Sequence, residues 1–215
     1  MKDIPVIYKD TDILLVNKPA GIPVQGGEGI KISLTDILER QAGTKIYPVH
    51  RLDRDTAGIL VLALNRDAAG RYSQYITDGS IKKEYAAVCF YNDSIEKKGT
   101  ITLPAGRSGS EKPSRTFYHI DAAGSEAALF YLQLGTGRMH QIRIHLASIG
   151  CPIIADDKYG DFRKNREFRS SHNIRKLQLA ACTLTLPVNN TLRRFTVPLP
   201  EHMQHCLDSL GIQMS

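Results

Sequence analysis

The chain has 215 residues, 42% of them hydrophobic and 23% charged, which suits a globular protein with a substantial core. Basic residues outnumber acidic ones by 28 to 22, so the net charge of +6 is compatible with a polyanionic partner but does not require one. The four cysteines lie far apart and no segment is apolar over a membrane-spanning length, which argues against a zinc finger, a disulfide framework and a membrane protein. The N-terminus lacks the apolar region of a signal peptide, and we expect a cytoplasmic protein with reduced, buried thiols.

The first half of the chain carries the patterns of a β-hairpin, a helix, a buried strand, a second helix and another strand. In order, these cover residues 6–10 with 13–18, 34 to about 41, the apolar run after residue 56, 67–78 and 83–91. Ser33 is a candidate N-cap of the first helix, and Gly43 is its candidate stop. The apolar run is rich in branched side chains and has no charge, so we expect it to be buried on both faces.

The second half predicts more strands than helices. A loop-rich segment at 99–115 precedes strands at 116–120 and 127–134, a helix from about 138 to 149, strands at 177–186 and 192–197, and a short C-terminal helix. Strands that mostly follow one another directly favour an α+β fold with a mixed, largely antiparallel central sheet and flanking helices and loops. We find no repeat, linker or low-complexity tract.

Residues 51–55 crowd two carboxylates and two guanidiniums together at the start of the buried strand. A polar cluster with rigid support suits a reaction centre, and a carboxylate kept ionised by arginine can act as a nucleophile or general base. The alternative is an ion-pair cluster that anchors a loop. In an extended segment Arg51, Asp53 and Asp55 would share one side, with Arg54 opposite. The segment alone does not decide between Asp53 and Asp55.

A second motif runs from Gly135 to Ala147. Apolar residues recur there at steps of three and four and predict a core-facing stripe of Met139, Ile142, Leu146 and Ile149. The polar residues are expected to project mostly elsewhere: Arg138, His140, Gln141, Arg143 and His145. The glycines and the helix N-terminus suit a phosphate or a buried carboxylate, with a solvated polar face as the alternative. The histidines are not at the one-turn spacing of paired zinc ligands, so no metal site is expected; His202 and His205 should face solvent.

Two further segments are basic and are predicted to be mobile loops. Residues 163–176 contain six cations against one acid, and the earlier loop contains Arg107, Lys112 and Arg115. Such loops would suit wrapping a phosphate backbone, although ordinary solvated loops are the alternative.

Taken together, these segments resemble the RluA family of pseudouridine synthases. His50-Arg51-Leu52-Asp53-Arg54-Asp55-Thr56-Ala57-Gly58 is similar to the family's His-Arg-Leu-Asp segment with its later Thr-Ser/Ala-Gly. Similar segments follow in the family's order at 17–21, 83–85, 137–145 and 157–160, so the resemblance covers nearly the whole chain. It implies the pseudouridine synthase fold, a single catalytic domain over 1–215 without a separate N-terminal RNA-binding domain, and no cofactor, because the isomerisation needs neither redox change nor a group donor.

The resemblance also implies roles for four residues. Asp53 matches the catalytic aspartate, and Arg143 matches the arginine that pairs with that carboxylate. Tyr85 matches the tyrosine that stacks on the target uracil, and Arg51 matches an arginine that contacts the substrate and helps hold the flipped-out conformation. The chain departs from the family pattern at two positions, with Met139 in place of a threonine and Ala180 in place of a common histidine.

The partner implied is RNA, an rRNA or tRNA stem-loop recognised largely by shape and phosphates, and we expect a monomer that needs neither metal nor membrane. The basic loops provide the candidate RNA-binding residues Arg107, Lys112, Arg115, Arg163, Lys164 and Arg166. Two other functions compete. A glycoside hydrolase could use Asp53 and Asp55 as its carboxylate pair, but the absence of tryptophan counts against a sugar cleft. An inactive RNA-binding protein on the same fold is the other.

Overall fold

The computed structural model describes residues 3–91 and 93–214, which divide into two compact units. The first unit comprises the chain up to Lys83 together with Ala181–Pro198, and the second comprises Glu84–Ala180 together with the chain from Leu199 onward. No helix within the described ranges is long and apolar enough to cross a membrane.

Strands and helices alternate irregularly along the chain. In chain order, the strands are β1 (Val6–Lys9), β2 (Ile13–Lys18), β3 (Tyr47–Pro48), β4 (Ala57–Ala63), β5 (Lys82–Phe90), β6 (Lys98–Thr102), β7 (Arg115–Ala123), β8 (Ala127–Leu134), β9 (Leu179–Val188) and β10 (Thr191–Thr196). The helices are α1 (Leu34–Ala42), α2 (Arg66–Thr77), α3 (Gln141–Ser148), α4 (Phe162–Ser171) and α5 (Glu201–Ser209). Strand pairing is mostly antiparallel in each unit, which confirms the predicted α+β class.

The sheet of the first unit is built around β4. The strand order is β1-β2-β4-β9, with β3 also pairing with β4 and β10 with β9. All seven residues of β4 are buried, as its uninterrupted apolar run predicts. Gly58 belongs to this strand with φ +110°, and a Cβ there would lie 2.1 Å from the carbonyl oxygen of Ala181 in β9. Only glycine allows these two backbones to approach so closely.

The helices of this unit begin within one residue of where the sequence predicts. Ser33 caps α1 in a reciprocal capping box with Asp36, and Gly43 ends the helix in a left-handed conformation with φ +67°. Asn65 caps α2 by accepting from the backbone N–H of Ala68. The Tyr72 hydroxyl donates to the carbonyl of Pro187 at 2.8 Å, which fastens α2 to the sheet.

The sheet of the second unit has the antiparallel order β5-β8-β7-β6. Two expectations prove wrong in this unit. Residues 98–102 form β6 within the segment predicted to be loop-rich, and the basic segment predicted to be a mobile loop contains α4. Asp161 caps α4 by accepting from two backbone N–H groups, and Phe168 is its buried residue. With one apolar anchor among many cations, the helix has no apolar periodicity that the sequence could reveal.

Candidate active site

Asp53 lies in a tight turn rather than in the extended segment that was expected. The backbone N–H of Thr56 donates to the carbonyl of Asp53 at 3.2 Å, so Arg51, Asp53 and Asp55 do not alternate along a strand. Leu52 and Thr56 are buried and anchor the turn at both ends. Asp53 is half-buried, whereas Asp55 is exposed. The turn therefore distinguishes the two carboxylates that the charge pattern alone left equivalent.

The side chain of His50, the residue before Arg51, is hydrogen-bonded to the middle of β4. Its Nε2 accepts a hydrogen bond from the backbone N–H of Val61 at 3.4 Å. Burial, with a smaller contribution from the charge of Lys83, holds the pKa of His50 well below its usual value. The imidazole is therefore neutral at physiological pH and can act as this acceptor.

Lys18 supports the Asp53 turn, a role that no common sequence pattern indicates. Although fully buried, it donates from Nζ to the carbonyls of Pro19, Ile22 and Arg54 at 3.1, 2.9 and 2.9 Å. One ammonium thus ties the loop after β2 to the turn that carries Asp53. Burial lowers the pKa of Lys18 to about 8, even though the charges of Asp55 and Asp53 raise it. The available signal was a lysine at the end of an apolar strand, directly before Pro-Ala-Gly.

A second set of bonds holds the same turn. The backbone N–H of Gly21 donates to the carbonyl of Arg54 at 2.9 Å, and Arg54 Nε donates back to the carbonyl of Gly21 at 3.1 Å. Arg54 is therefore part of the scaffold of the turn. Arg51 is also exposed, but its guanidinium forms no hydrogen bond or ion pair within the described chain.

Tyr85 belongs to the second unit and lies in β5, opposite Leu132 of β8. Only 6% of the residue is exposed. Strand pairing and burial together fix the direction of its side chain.

Arg143 is buried on α3 and is anchored by two aspartates of the same unit. Its Nε and Nη2 donate to the two carboxylate oxygens of Asp156 at 2.8 and 2.7 Å, and Nη2 also donates to Asp157 at 2.9 Å. Burial would raise the pKa of Asp156, but hydrogen bonds from Arg143 and from the backbone N–H groups of Tyr159 and Lys158 lower it below its usual value. Asp156 is therefore ionised, and the planar guanidinium is held in one orientation.

Close backbone packing and hydrogen bonds from α4 shape the turn that contains Asp156. A Cβ at Gly160 would lie 2.3 Å from the carbonyl oxygen of Asp156, so glycine is required there. Asn165 of α4 donates to that same carbonyl at 2.9 Å and accepts from the N–H of Ala155 at 2.8 Å. The Tyr159 hydroxyl lies 3.1 Å from Nδ1 of His140. The Asp157–Gly160 segment therefore fixes the position of Asp156, the partner of Arg143.

The helix that carries Arg143 differs from the prediction. It begins at Gln141, because His140 adopts a left-handed φ of 55° with no side-chain cap. Met139 lies outside the helix and is 43% exposed, so its place in the core stripe was wrong. The side chains expected to project outward include buried ones: Gln141, Arg143 and His145. A polar side chain can enter the core when its hydrogen bonds are satisfied, and apolar periodicity does not detect that.

Two of these buried polar side chains organise loops next to the helix. Gln141 donates to the Arg115 carbonyl and the Thr116 hydroxyl at 2.9 and 3.0 Å, and accepts from the N–H of Arg138 at 3.1 Å. His145 Nε2 lies 3.0 Å from the Ser114 hydroxyl and 2.9 Å from the Leu103 carbonyl. Near the C-terminus, His205 is exposed as predicted, but His202 is half-buried against the carbonyl of Leu177.

Comparison with known proteins assigns the chain to a family. A family model described as RNA pseudouridylate synthase matches residues 12–148. The chain belongs to this family. Ribosomal large subunit pseudouridine synthase C of Buchnera aphidicola (subsp. Acyrthosiphon pisum) is 30% identical over 95% of this chain and 70% of its own length. The protein of the same name from Escherichia coli O6:H1 is 31% identical over 95% and 69%.

Solved structures agree with this family assignment. Human RNA Pseudouridylate Synthase Domain Containing 4 superposes with a TM-score of 0.84 and 25% identity, over 98% of this chain and 94% of that one. Human RNA Pseudouridylate Synthase Domain Containing 1 superposes with a TM-score of 0.76 and 26% identity, over 91% and 83%. The predicted fold and the predicted activity are both confirmed: the protein is an RNA pseudouridine synthase, an isomerase.

The candidate RNA-binding residues of this pseudouridine synthase all lie in the second unit. Five have exposed side chains: Arg107, Lys112, Arg115, Arg163 and Arg166. The sixth, Lys164, is half-buried, with its Nζ over the ring of Phe90 at 5.3 Å from the centroid. Burial against Phe90 therefore distinguishes Lys164 from the five exposed cations.

Proposed function

We propose that this pseudouridine synthase isomerises a uridine of ribosomal large-subunit RNA, with Asp53 as its catalytic carboxylate. The observation that carries the assignment is the turn at 53–56, which holds Asp53 half-buried while leaving Asp55 to solvent. The names of the two bacterial relatives support an rRNA substrate.

The reaction breaks the bond from ribose C1′ to N1 of the uracil, turns the ring, and joins C1′ to C5. The hydrogen of C5 leaves as a proton, and N1 ends with a proton, so the isomerisation is balanced without a donor group or a redox partner. A carboxylate can start it by attacking C1′, by attacking the ring, or by removing a proton from the ribose. Asp53 has the chemistry for each of these routes.

In this proposal Arg143 pairs with Asp53 and fixes its orientation. The bidentate bond to Asp156 supports the role, because it fixes the plane of the guanidinium before any RNA binds. Tyr85 stacks on the target uracil and offsets part of the free energy that base flipping requires. Its support is the rigid position on β5.

Arg51 contacts the RNA next to the target and stabilises the flipped-out conformation. Its support is an exposed guanidinium that no other described residue engages. The exposed cations of the 103–115 loop and of α4 bind phosphates, so that the stem-loop is recognised by shape more than by sequence. The enzyme acts as a monomer in the cytoplasm and needs no metal or cofactor.

The test is release of tritium from large-subunit rRNA labelled at C5 of uridine. We expect Asp53→Asn to lower the rate by about 10³-fold or more while RNA binding survives, since the carboxylate is removed but the fold is kept. Asp55→Asn, a matched change two residues away, should retain most of the activity. Turnover by Asp53→Asn near the wild-type rate would show that another residue is the catalytic group.

A further inference from the structure

A cavity of about 880 Å³ lies in the first unit beside the turn that carries Asp53. It is lined by residues 21–26 and 29–32 of one loop, by Ile37 of α1, and by Arg51, Leu52 and Arg54. Cavities that bind small organic molecules have volumes of about 300–1,000 Å³, so this one can hold a nucleotide. Leu52 and Arg54 both line it, and they are the chain neighbours of Asp53.

Hydrogen bonds fix the first residues of the loop that lines the cavity. The first backbone N–H groups of α1, those of Leu34 and Thr35, donate to the carbonyls of Pro23 and Val24 at 2.8 and 3.1 Å. At the same end of the loop, Lys18 donates to the carbonyl of Ile22 at 2.9 Å, and further along it the backbone N–H of Ile30 donates to the carbonyl of Gly27 at 3.0 Å. The side of the cavity next to Arg54 is therefore held in place by the chain itself.

Its lining combines an apolar wall with cations. Ile22, Ile30 and Leu52 contribute to the wall, and the three charged residues among the lining are Lys31, Arg51 and Arg54. None of the described residues that line it is acidic. Within the described chain the side chains of Lys31 and Arg51 form no hydrogen bond or ion pair, and the side chain of Arg54 donates only from Nε, to Gly21. An apolar wall edged by uncompensated cations is complementary to a base and its phosphates.

We infer that this cavity receives a second nucleotide of the substrate RNA, the unstacked neighbour of the target uridine. The inference rests on the proposed function: Leu52 and Arg54, the chain neighbours of Asp53, line the cavity, so a nucleotide next to a uridine at Asp53 is within reach of it. The base lies against Ile30 and Leu52, and Lys31, Arg51 and Arg54 take the phosphates on either side. Binding the neighbour keeps the strand from restacking and so holds the target out of the helix.

The test uses the stem-loop of large-subunit rRNA in which the wild-type enzyme forms pseudouridine, with an abasic residue in place of either neighbour of the target. For wild type, kcat/KM should fall about fivefold when the neighbour that enters the cavity is abasic. Ile30→Ala should lose about fivefold on intact RNA and nothing further on that abasic RNA, because both changes remove one contact. Ile30 is 37% exposed, so its truncation leaves the core intact.

Leu192→Ala is the matched control, since Leu192 is 65% exposed in the same unit and does not line the cavity. It should match wild type on both RNAs. Lys31→Gln should reduce the slope of log K against log salt by about one, and Lys45→Gln should leave that slope unchanged. If Ile30→Ala matches Leu192→Ala on intact RNA while wild type turns over, the cavity does not hold a neighbour and the proposed function stands. If wild type forms no pseudouridine in large-subunit RNA, the proposed function fails and the inference fails with it.

Discussion

The turn that carries Asp53 and the helix that carries Arg143 are both rigid, but different bonds hold them. The turn depends on backbone carbonyls gathered around one buried ammonium, that of Lys18. Arg143 depends on carboxylates, and chiefly on both oxygens of buried Asp156. In the first region a buried charge is satisfied by neutral dipoles, and in the second by an opposite charge. Removing the buried ammonium from the first region and the compensating carboxylate from the second should therefore have different consequences.

Of the two regions, the one around Arg143 should show the larger effect on stability, through Asp156. Asp156→Asn removes the charge that compensates the buried guanidinium of Arg143, and breaking such a pair costs about 3 kcal/mol. The free energy of unfolding should fall by about that amount, and kcat should fall about a hundredfold as Arg143 loses its fixed orientation. Chemical denaturation and tritium release measure the two quantities.

Asp208→Asn provides the control, because Asp208 is an exposed carboxylate of the same unit with one hydrogen bond, from Gln204. It should change the free energy of unfolding by less than about 0.5 kcal/mol and leave kcat unchanged. A full kcat in Asp156→Asn would show that Arg143 is oriented without Asp156.

The contrast between the regions also explains what the sequence could predict. The burial of β4, the capping of α1 by Ser33 and the stop at Gly43 follow from short patterns, because each depends on neighbouring residues. The anchoring of Arg143 does not, since Asp156 lies thirteen positions further along the chain and precedes the motif that resembles the family. The full burial of Lys18 could not be predicted either, because lysines are almost always at the surface.

The site residues show the same division. Asp53, Arg51, Tyr85 and Arg143 could be named by resemblance, but their environments could not. The charge pattern suggested an extended 51–55 segment, whereas the bond from Thr56 to Asp53 makes a turn. Apolar spacing placed Met139 in the core and Gln141 outside it, and the reverse is found because hydrogen bonds, not hydrophobicity, bury Gln141.

A smaller effect on stability is expected at Lys18. Lys18→Met removes three hydrogen bonds but also removes a buried charge, and these two contributions oppose each other. The free energy of unfolding should change by about 1 kcal/mol or less, while the rate of tritium release should fall about tenfold because the Asp53 turn loosens.

Lys45→Met is the matched change at an exposed lysine of the same unit and should alter neither quantity. If Lys18→Met lost as much stability as Asp156→Asn, the distinction between compensation by dipoles and compensation by charge would be contradicted.

The most specific effect concerns pH. Because the pKa of Lys18 is lowered to about 8 from 10.5, the unfolded chain keeps a proton between these values that the folded chain has lost. The stability contributed by this group is therefore complete above pH 10.5 and is lost as the pH falls through 8. A neutral amine has two N–H groups for three carbonyls, so the turn should loosen over the same range in which the buried charge disappears.

Activity and stability should thus move in opposite directions above pH 8 in wild type, and Lys18→Met should show neither trend from this group. Nuclear magnetic resonance of the lysine Cε carbons, with the Lys18→Met spectrum for assignment, should give one titration near pH 8. Asp156 does not titrate in that range. Its pKa is lowered, so the stability that it contributes is lost only at pH values below 3.8. A Lys18 signal that titrates with the surface lysines would mean that the ammonium is not held by the three carbonyls, and the proposed difference between the two regions would disappear.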